Sequence, residues 1–371
     1  ALDITDPLNP EYLWRFAPEG MGFTYSGPAH VMRRDTGDNV EHFLIFASGP
    51  TGYDGTSTQP LNIYVVDPES GDLLHTHNDP NFNAAFAGRL FNNGLDMDRD
   101  GQTDYVFMGF TNKADQTPDN YEKMTGGIYK IYTGSTDPSA WDYDVFMSNN
   151  IGDPVTAPVK IANCFPEIIP YPYLYFGSGR YFVPNDQTQA NSNDLNHLYG
   201  VPIPCDASGT CDTGSISNIT NSSDWTCQDI KDSDFKGAIW KIPLEPAQGQ
   251  YLRERLYSDF TVTNQNIVFF DTAMPTDAIC ECGGQSRSWA LNCATGMGLN
   301  YEICDDGSYM IDPHLSFQFL VQLSGGDIKQ ASREDFSSSS GATGQATGLP
   351  GPGGTPVFPA GMFDLDYWKQ W

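Results

Sequence analysis

The sequence predicts an all-β protein, a modified, degenerate β-propeller, and three observations carry that prediction. Glycine and proline number 37 and 26 among 371 residues, so the chain is cut into short pieces by turns. No long window carries apolar residues at helical spacing. Short runs of β-branched and aromatic residues recur instead, and they recur in pairs.

The first phrase of each pair is strand-like and usually ends in glycine. It reads Phe43 to Gly49, then Tyr105 to Gly109, then Leu174 to Gly179, with Ile267 to Phe270 lacking the glycine. A second phrase follows each: Ile63 to Asp67, Gly127 to Ile131, Gly237 to Ile242 and Trp289 to Asn292. Paired strands at such intervals are the mark of propeller blades, small sheets that hide their faces against their neighbours. The propeller domain is expected over residues 1–336. Residues 183–233, rich in Asn, Asp, Ser and Thr and holding three cysteines, read as an inserted loop that makes the repeat uneven. Residues 337–361 read as a flexible Ser/Gly/Pro-rich linker, and residues 362–371 as an aromatic tail that needs a docking site.

Charge narrows the function. Against 47 Asp plus Glu stand only 19 Lys plus Arg, a formal net charge of −28. Scattered basic residues leave no patch to follow a phosphate backbone, so nucleic acid and anionic membrane surfaces are poor partners. No apolar stretch is long enough to span a bilayer; the greasiest, Ile161 to Phe176, is broken by Glu167 and three prolines. The N-terminus has no basic or apolar leader, so a mature or processed piece is expected.

Eight cysteines with few lysines point to an oxidising, extracellular compartment. Cys205 and Cys211 close a short turn and are plausible partners. Cys280 and Cys282 are so close that each bonds more easily elsewhere, for instance to Cys293 or Cys304. A zinc cluster built on Cys280 and Cys282 would lack paired CxxC spacing. His75 and His77 alternate and share one face of a strand, half a metal site at most, and read as exposed residues at a hairpin end. There is no nucleophile elbow, phosphate loop or His-Glu-x-x-His motif, and no Cys-x-x-Cys-His for covalent haem. Asn218 and Asn221 open glycosylation sequons.

The strongest local signal is Asp96-Met97-Asp98-Arg99-Asp100-Gly101-Gln102-Thr103-Asp104. Side-chain oxygens fall at loop positions one, three, five and nine, Gly101 takes the sharp turn at six, and Gln102 offers its backbone carbonyl at seven. Hard oxygen ligands at this spacing suit Ca2+. Position twelve is Phe107 instead of a bidentate Glu, and the loop runs into a strand instead of a helix. A missing ligand would come from water or from Asp115 or Asp119. The expected metal residues are Asp96, Asp98, Asp100, Gln102 and Asp104; no catalytic or organic-cofactor residues are expected.

Several phrases, in order, resemble one family. They are Leu2 to Pro7, Leu13 to Phe16, Gly22 to Pro28, Ile63 to Leu74, the aspartate loop with Tyr105 to Gly109, Tyr173 to Tyr181, His197 to Gly200, and Ser288 to Leu291. Together they resemble the C-terminal domain of the PilC/PilY-type pilus-tip adhesins over most of residues 1–335. The resemblance implies a seven-bladed propeller, exposed at the tip of a bacterial type IV pilus. It implies a non-enzymatic factor that caps the pilus on minor pilins and whose calcium loop governs extension against retraction and surface attachment. Family members usually carry a long N-terminal region, absent from this sequence, which is expected to be cleaved or a separate chain. The insertion holds more cysteines than the family pattern. Two other functions fit a propeller: a quinone-cofactor (PQQ-type) dehydrogenase, although those commonly carry adjacent cysteines that this chain lacks, and a carbohydrate-binding lectin.

Overall fold

The strand phrases pair with their successors into antiparallel sheets. A computed structural model describes residues 1–24, 26–90, 94–113, 124–147, 153–164, 171–180, 195–212, 216, 219–221, 239–247, 252–256, 260–262, 267–275, 284–296, 319–322 and 328–331. The linker and tail, and Cys227, Cys280, Cys282 and Cys304, lie outside these residues, as do Asp115 and Asp119. Among the described residues there is no α-helix, only a 3-10 turn at Pro138–Ala140.

A small ribbon, β1 (Leu2–Asp3) with β2 (Glu11–Tyr12), opens the chain. The first four-stranded sheet follows in simple meander order: β3 (Ala29–Arg34), β4 (Val40–Ala47), β5 (Asn62–Val66) and β6 (Leu73–Asn78). The second repeats that order with β7 (Ala85–Ala87), β8 (Tyr105–Lys113), β9 (Met124–Tyr132) and β10 (Asp142–Met147).

The third sheet runs β11 (Lys160–Asn163), β12 (Pro172–Gly177), β13 (His197–Pro202), β15 (Trp240–Pro243), with β14 (Thr220–Asn221) added in parallel outside β15. In the fourth, β18 (Ile267–Pro275) carries β16 (Arg255–Leu256) and β17 (Thr261–Val262) on one edge and β19 (Gly284–Asn292) on the other. A last pair, β20 (Phe319–Gln322) and β21 (Ile328–Ala331), is antiparallel.

One expectation changes here. The Leu174 run does not pair with the Trp240 run, because β13 from within 183–233 stands between them. That segment is therefore not all loop: Leu198 and Val201 are apolar enough to hold the centre of a sheet, and they do so.

Three hydrophobic cores show how the sheets are arranged. One joins the first sheet to the second, through Val31, Ile45 and Val65 against Val106, Met108 and Tyr129. Another joins the second to the third, through Tyr105, Phe107 and Ile128 against Leu174, Phe176 and Val201. The last joins the third to the fourth, through Tyr173, Tyr175 and Trp240 against Val268, Phe270 and Trp289. The period-two alternation of a strand thus sends Val106 and Met108 to one neighbour and Tyr105 and Phe107 to the other. Sheets covered on both faces need continuous apolar runs.

The glycines that close the first phrases have a steric cause. A Cβ on Gly109 would stand 2.4 Å from the carbonyl oxygen of Val155, and one on Gly177 would stand 2.5 Å from Leu256 Cβ. The segment at Val155 in one case, and β16 of the fourth sheet in the other, approaches too closely for any side chain. Arg180, just after β12, donates to the carbonyl of Gly55 in the β4–β5 loop at 2.7 Å, so the third sheet reaches the first. Stacked sheets of four or five strands, with contact between the first and the third, are the propeller arrangement; the described residues do not set the number of blades.

Two disulfides close the described part. Cys205–Cys211 forms as expected. Cys293 pairs with Cys164 across 129 residues, so it is not the partner of Cys280 or Cys282. His75 and His77 are half-buried instead of exposed, and they stack on Tyr143 of the second sheet at 5.7 and 4.3 Å. Their role is packing at a seam between sheets.

Candidate metal centre

The aspartate loop lies between β7 and β8, and its neck is pinned by backbone bonds. Leu95 N–H donates to the Tyr105 carbonyl at 2.7 Å, and Tyr105 N–H donates back at 3.1 Å. Between these points the chain must reverse within nine residues. It does so with Arg99 at φ 64° and Gly101 at φ 86°, left-handed positions that glycine adopts freely and arginine at a cost. Asp96 offsets that cost by accepting N–H bonds from Arg99 at 2.6 Å and from Gly101 at 2.8 Å. Asp98 accepts from the Asp100 N–H at 3.2 Å.

Carboxylate oxygens of Asp96, Asp98 and Asp104 come together, all within 4.8 Å of one another. Calcium–oxygen bonds of about 2.3–2.6 Å place two ligands of one ion no more than about 5 Å apart, so this spacing fits. Each carboxylate oxygen that accepts one N–H keeps a second lone pair. The donor set is hard oxygen alone, which suits calcium over zinc or copper. The three residues present therefore fit the ion that their spacing implies.

Asp100 and Gln102 are placed differently from the other three. The Asp100 carboxylate takes the Gln102 N–H at 2.8 Å and the Gln102 side-chain amide at 2.5 Å, and it is not part of the converging group. Gln102 Oε1 accepts from the Arg34 N–H at 2.9 Å. Phe107, at position twelve, is a fully buried strand residue in the core between the second and third sheets.

Asp104 is the buried member of the group. Burial pushes its pKa up, and the Asp98 and Asp96 charges push the same way; the Met97 N–H at 2.8 Å and Arg33 at 3.4 Å pull it down. A cation at this point would remove the penalty that burial and like charge impose. Asp100 moves in the opposite direction, held low chiefly by the Gln102 N–H, with help from the Gln102 side chain and from Arg33 and Arg34.

Sequence reasoning missed the surroundings of this loop. Thr103 N–H donates to the Met32 carbonyl at 2.9 Å, Met32 N–H donates to Thr103 Oγ1 at 3.2 Å, and Arg33 donates to the Thr103 carbonyl at 2.9 Å. The loop therefore lies along β3, the edge strand of the first sheet. No local signal marks these contacts, because the partners stand about seventy residues apart.

No family model matches the chain. It is 26% identical over 349 residues to a protein named type IV pilus biogenesis factor PilY1 homolog from Xylella fastidiosa, a match covering 80% of this chain and 21% of that protein. It is 22% identical over 362 residues to the type IV pilus biogenesis factor PilY1 of Pseudomonas aeruginosa, covering 82% of this chain and 29% of that protein. The chain thus spans less than a third of the curated relatives it matches. Its backbone is similar to the crystal structure of the Pseudomonas aeruginosa PilY1 C-terminal domain, with a TM-score of 0.56, 15% identity, and coverage of 95% of this chain and 78% of that domain. The resemblance carried by the order of motifs is thereby borne out: the chain is a sequence relative of the PilY1 type IV pilus biogenesis factors and has the fold of the PilY1 C-terminal domain.

Proposed function

We propose that this chain is a calcium-binding, non-enzymatic module of a type IV pilus biogenesis factor, outside the cell at the pilus tip, where it caps the filament on minor pilins. In this reading occupancy of the aspartate loop regulates pilus extension against retraction and surface attachment. The observation that carries the pilus role is the sequence relationship to two proteins named as pilus biogenesis factors, each matched over about four fifths of this chain. The calcium part rests on the convergence of Asp96, Asp98 and Asp104.

The chemistry is that of a structural ion. Asp96, Asp98 and Asp104 would hold Ca2+, and the ion would neutralise their mutual repulsion. The chain's own groups fix the loop before any ion arrives: the Leu95–Tyr105 bridge holds the neck, and Thr103 and Gln102 hold the loop against β3. Metal binding then stiffens a seam between two sheets.

Purified full chain, incubated with purified minor pilins in calcium and in chelator, tests the proposal. Pilins retained in calcium and released in chelator are expected. Failure to retain any minor pilin, together with normal surface piliation in a strain lacking the gene, would overturn it.

A further inference from the structure

We infer that the disulfide-closed loop Cys205–Cys211 is a strut that holds the aspartate loop in place through Tyr105 and Tyr132, so that disulfide closure and metal binding are thermodynamically linked. The strut itself stands on the contacts below, and only the link to metal rests on the calcium reading proposed above.

Tyr105 directly follows Asp104, and its backbone closes the neck of the aspartate loop. Across the β8–β9 ladder it pairs with Tyr132, and the two rings lie 5.2 Å apart. Both phenols point away to the same partner. Tyr105 Oη donates to the Asp206 carbonyl at 2.6 Å, and Tyr132 Oη donates to the Ala207 carbonyl at 3.0 Å. Gly209 completes the fit: at φ 95°, a Cβ there would stand 2.7 Å from the Tyr132 ring, so the loop lies flat on that ring.

The loop is rigid enough to act as a strut. Asp206 Oδ1 accepts from the Ser208 N–H at 2.9 Å, the Thr210 N–H at 3.0 Å and the Ser208 hydroxyl at 2.6 Å. The disulfide closes its base over six residues. Without that closure the ordering entropy of the loop would fall on the two phenol bonds. On the far side, Thr133 N–H donates to the Asp104 carbonyl at 2.8 Å, so the residue after Tyr132 also grips the metal loop. The strut arises from the chain after β13, and the loop it supports precedes β8. Three sheets therefore share one contact.

Linkage makes this testable in both directions. If the strut strengthens calcium binding by some factor, calcium protects the strut by the same factor. Amide hydrogen exchange is measured on the full chain as wild type, as Cys205→Ser/Cys211→Ser and as Tyr105→Phe/Tyr132→Phe, in calcium and in chelator. Exchange across residues 95–105 is expected to quicken about tenfold in both variants, the size set by losing one or two hydrogen bonds, with β18 and β19 unchanged. Unchanged exchange at 95–105 in Tyr105→Phe/Tyr132→Phe, which keeps the disulfide and both rings, overturns the strut. An equal rise in β18 and β19 overturns it too, because that reports general destabilisation.

The metal link is read by reducing Cys205–Cys211 with dithiothreitol. At equilibrium, half-reduction is expected to need about threefold or more of the reduced-to-oxidised dithiothreitol ratio in calcium. Equal reduction equilibria in a chain that calorimetry shows to bind calcium overturn the link. If calorimetry detects no calcium binding, the metal reading fails, and hydrogen exchange in chelator still decides the strut.

Discussion

Replacing Asp104 by Asn should change stability in opposite directions with and without calcium. Asparagine keeps the size of the side chain and one acceptor oxygen, so the Met97 N–H bond at 2.8 Å can persist. What disappears is one negative charge from a group whose carboxylates lie within 4.8 Å of each other. At that distance a like-charged pair costs about 0.9 kcal/mol in bulk water and about 3.5 kcal/mol at an effective dielectric of 20. Asp98 is exposed, so the lower figure applies, and relief from two neighbours amounts to about 1–2 kcal/mol. Loss of the 3.4 Å contact with Arg33 offsets about 1 kcal/mol of that. In chelator the variant should therefore match or slightly exceed the wild type. With free calcium a hundredfold above the wild-type Kd, the ion adds about 2.7 kcal/mol to the wild type, and a tenfold loss of affinity would cut that to about 1.4 kcal/mol. Urea unfolding of both proteins in calcium and in chelator reads all four values. An equal loss of stability in both media would refute the reasoning, because the carboxylate would then serve only as an acceptor for Met97.

Gly109→Ala should destabilise by about 1–3 kcal/mol, because its Cβ would meet backbone and side-chain atoms of Val155 at 2.4–2.5 Å; an unchanged urea midpoint would show that the segment at Val155 does not approach as described. His77 is held below the ordinary histidine value of 6.5, chiefly by burial, with the nearby Asp79 charge opposing. A depressed histidine pKa means that the unfolded chain takes up the proton first, so its contribution is full above 6.5 and falls as pH drops below it. Wild type should lose more stability than His77→Gln between pH 7 and 5, and parallel curves would remove His77 as the cause. Cys164→Ser/Cys293→Ser should cost about 5 kcal/mol on loop entropy; a denaturation midpoint unchanged in that double variant would show that the long bridge is not made.

What was legible in the sequence was local. Tyr105 to Gly109 announces a strand because its residue types suit a pleated, buried surface, although the strand runs on past the glycine to Lys113. The aspartate loop is legible because its carboxylates follow each other within nine residues. Cys205–Cys211 is legible for the same reason, whereas Cys164–Cys293 is one choice among many across 129 residues. The sequence does not show how the aspartates are placed relative to one another. Spacing alone treats Asp100 as equal to Asp96, yet the Gln102 amides are near enough to take its carboxylate. Likewise, the position of β13 inside an apparently polar insertion depends on which strand it meets, and His197 to Pro202 gives no local sign that its partners are β12 and β15.

The position of the aspartate loop explains how a local ionic event there would have reach. An edge strand offers unpaired N–H and C=O groups to any passing strand, and β3 is such an edge. Thr103 and Gln102 cover part of it, with backbone and side-chain bonds to Met32 and Arg34. The Cys205–Cys211 loop reaches the same place from the third sheet through Tyr105 and Tyr132. The interiors of the cores on either side are aromatic and aliphatic, so they owe little to charge. Removing a cation would consequently leave each sheet intact and loosen the cover over β3, where the first, second and third sheets are tied together. A module regulated in this way changes the exposure of a strand edge without unfolding, and a strand edge is what a filament subunit can pair with.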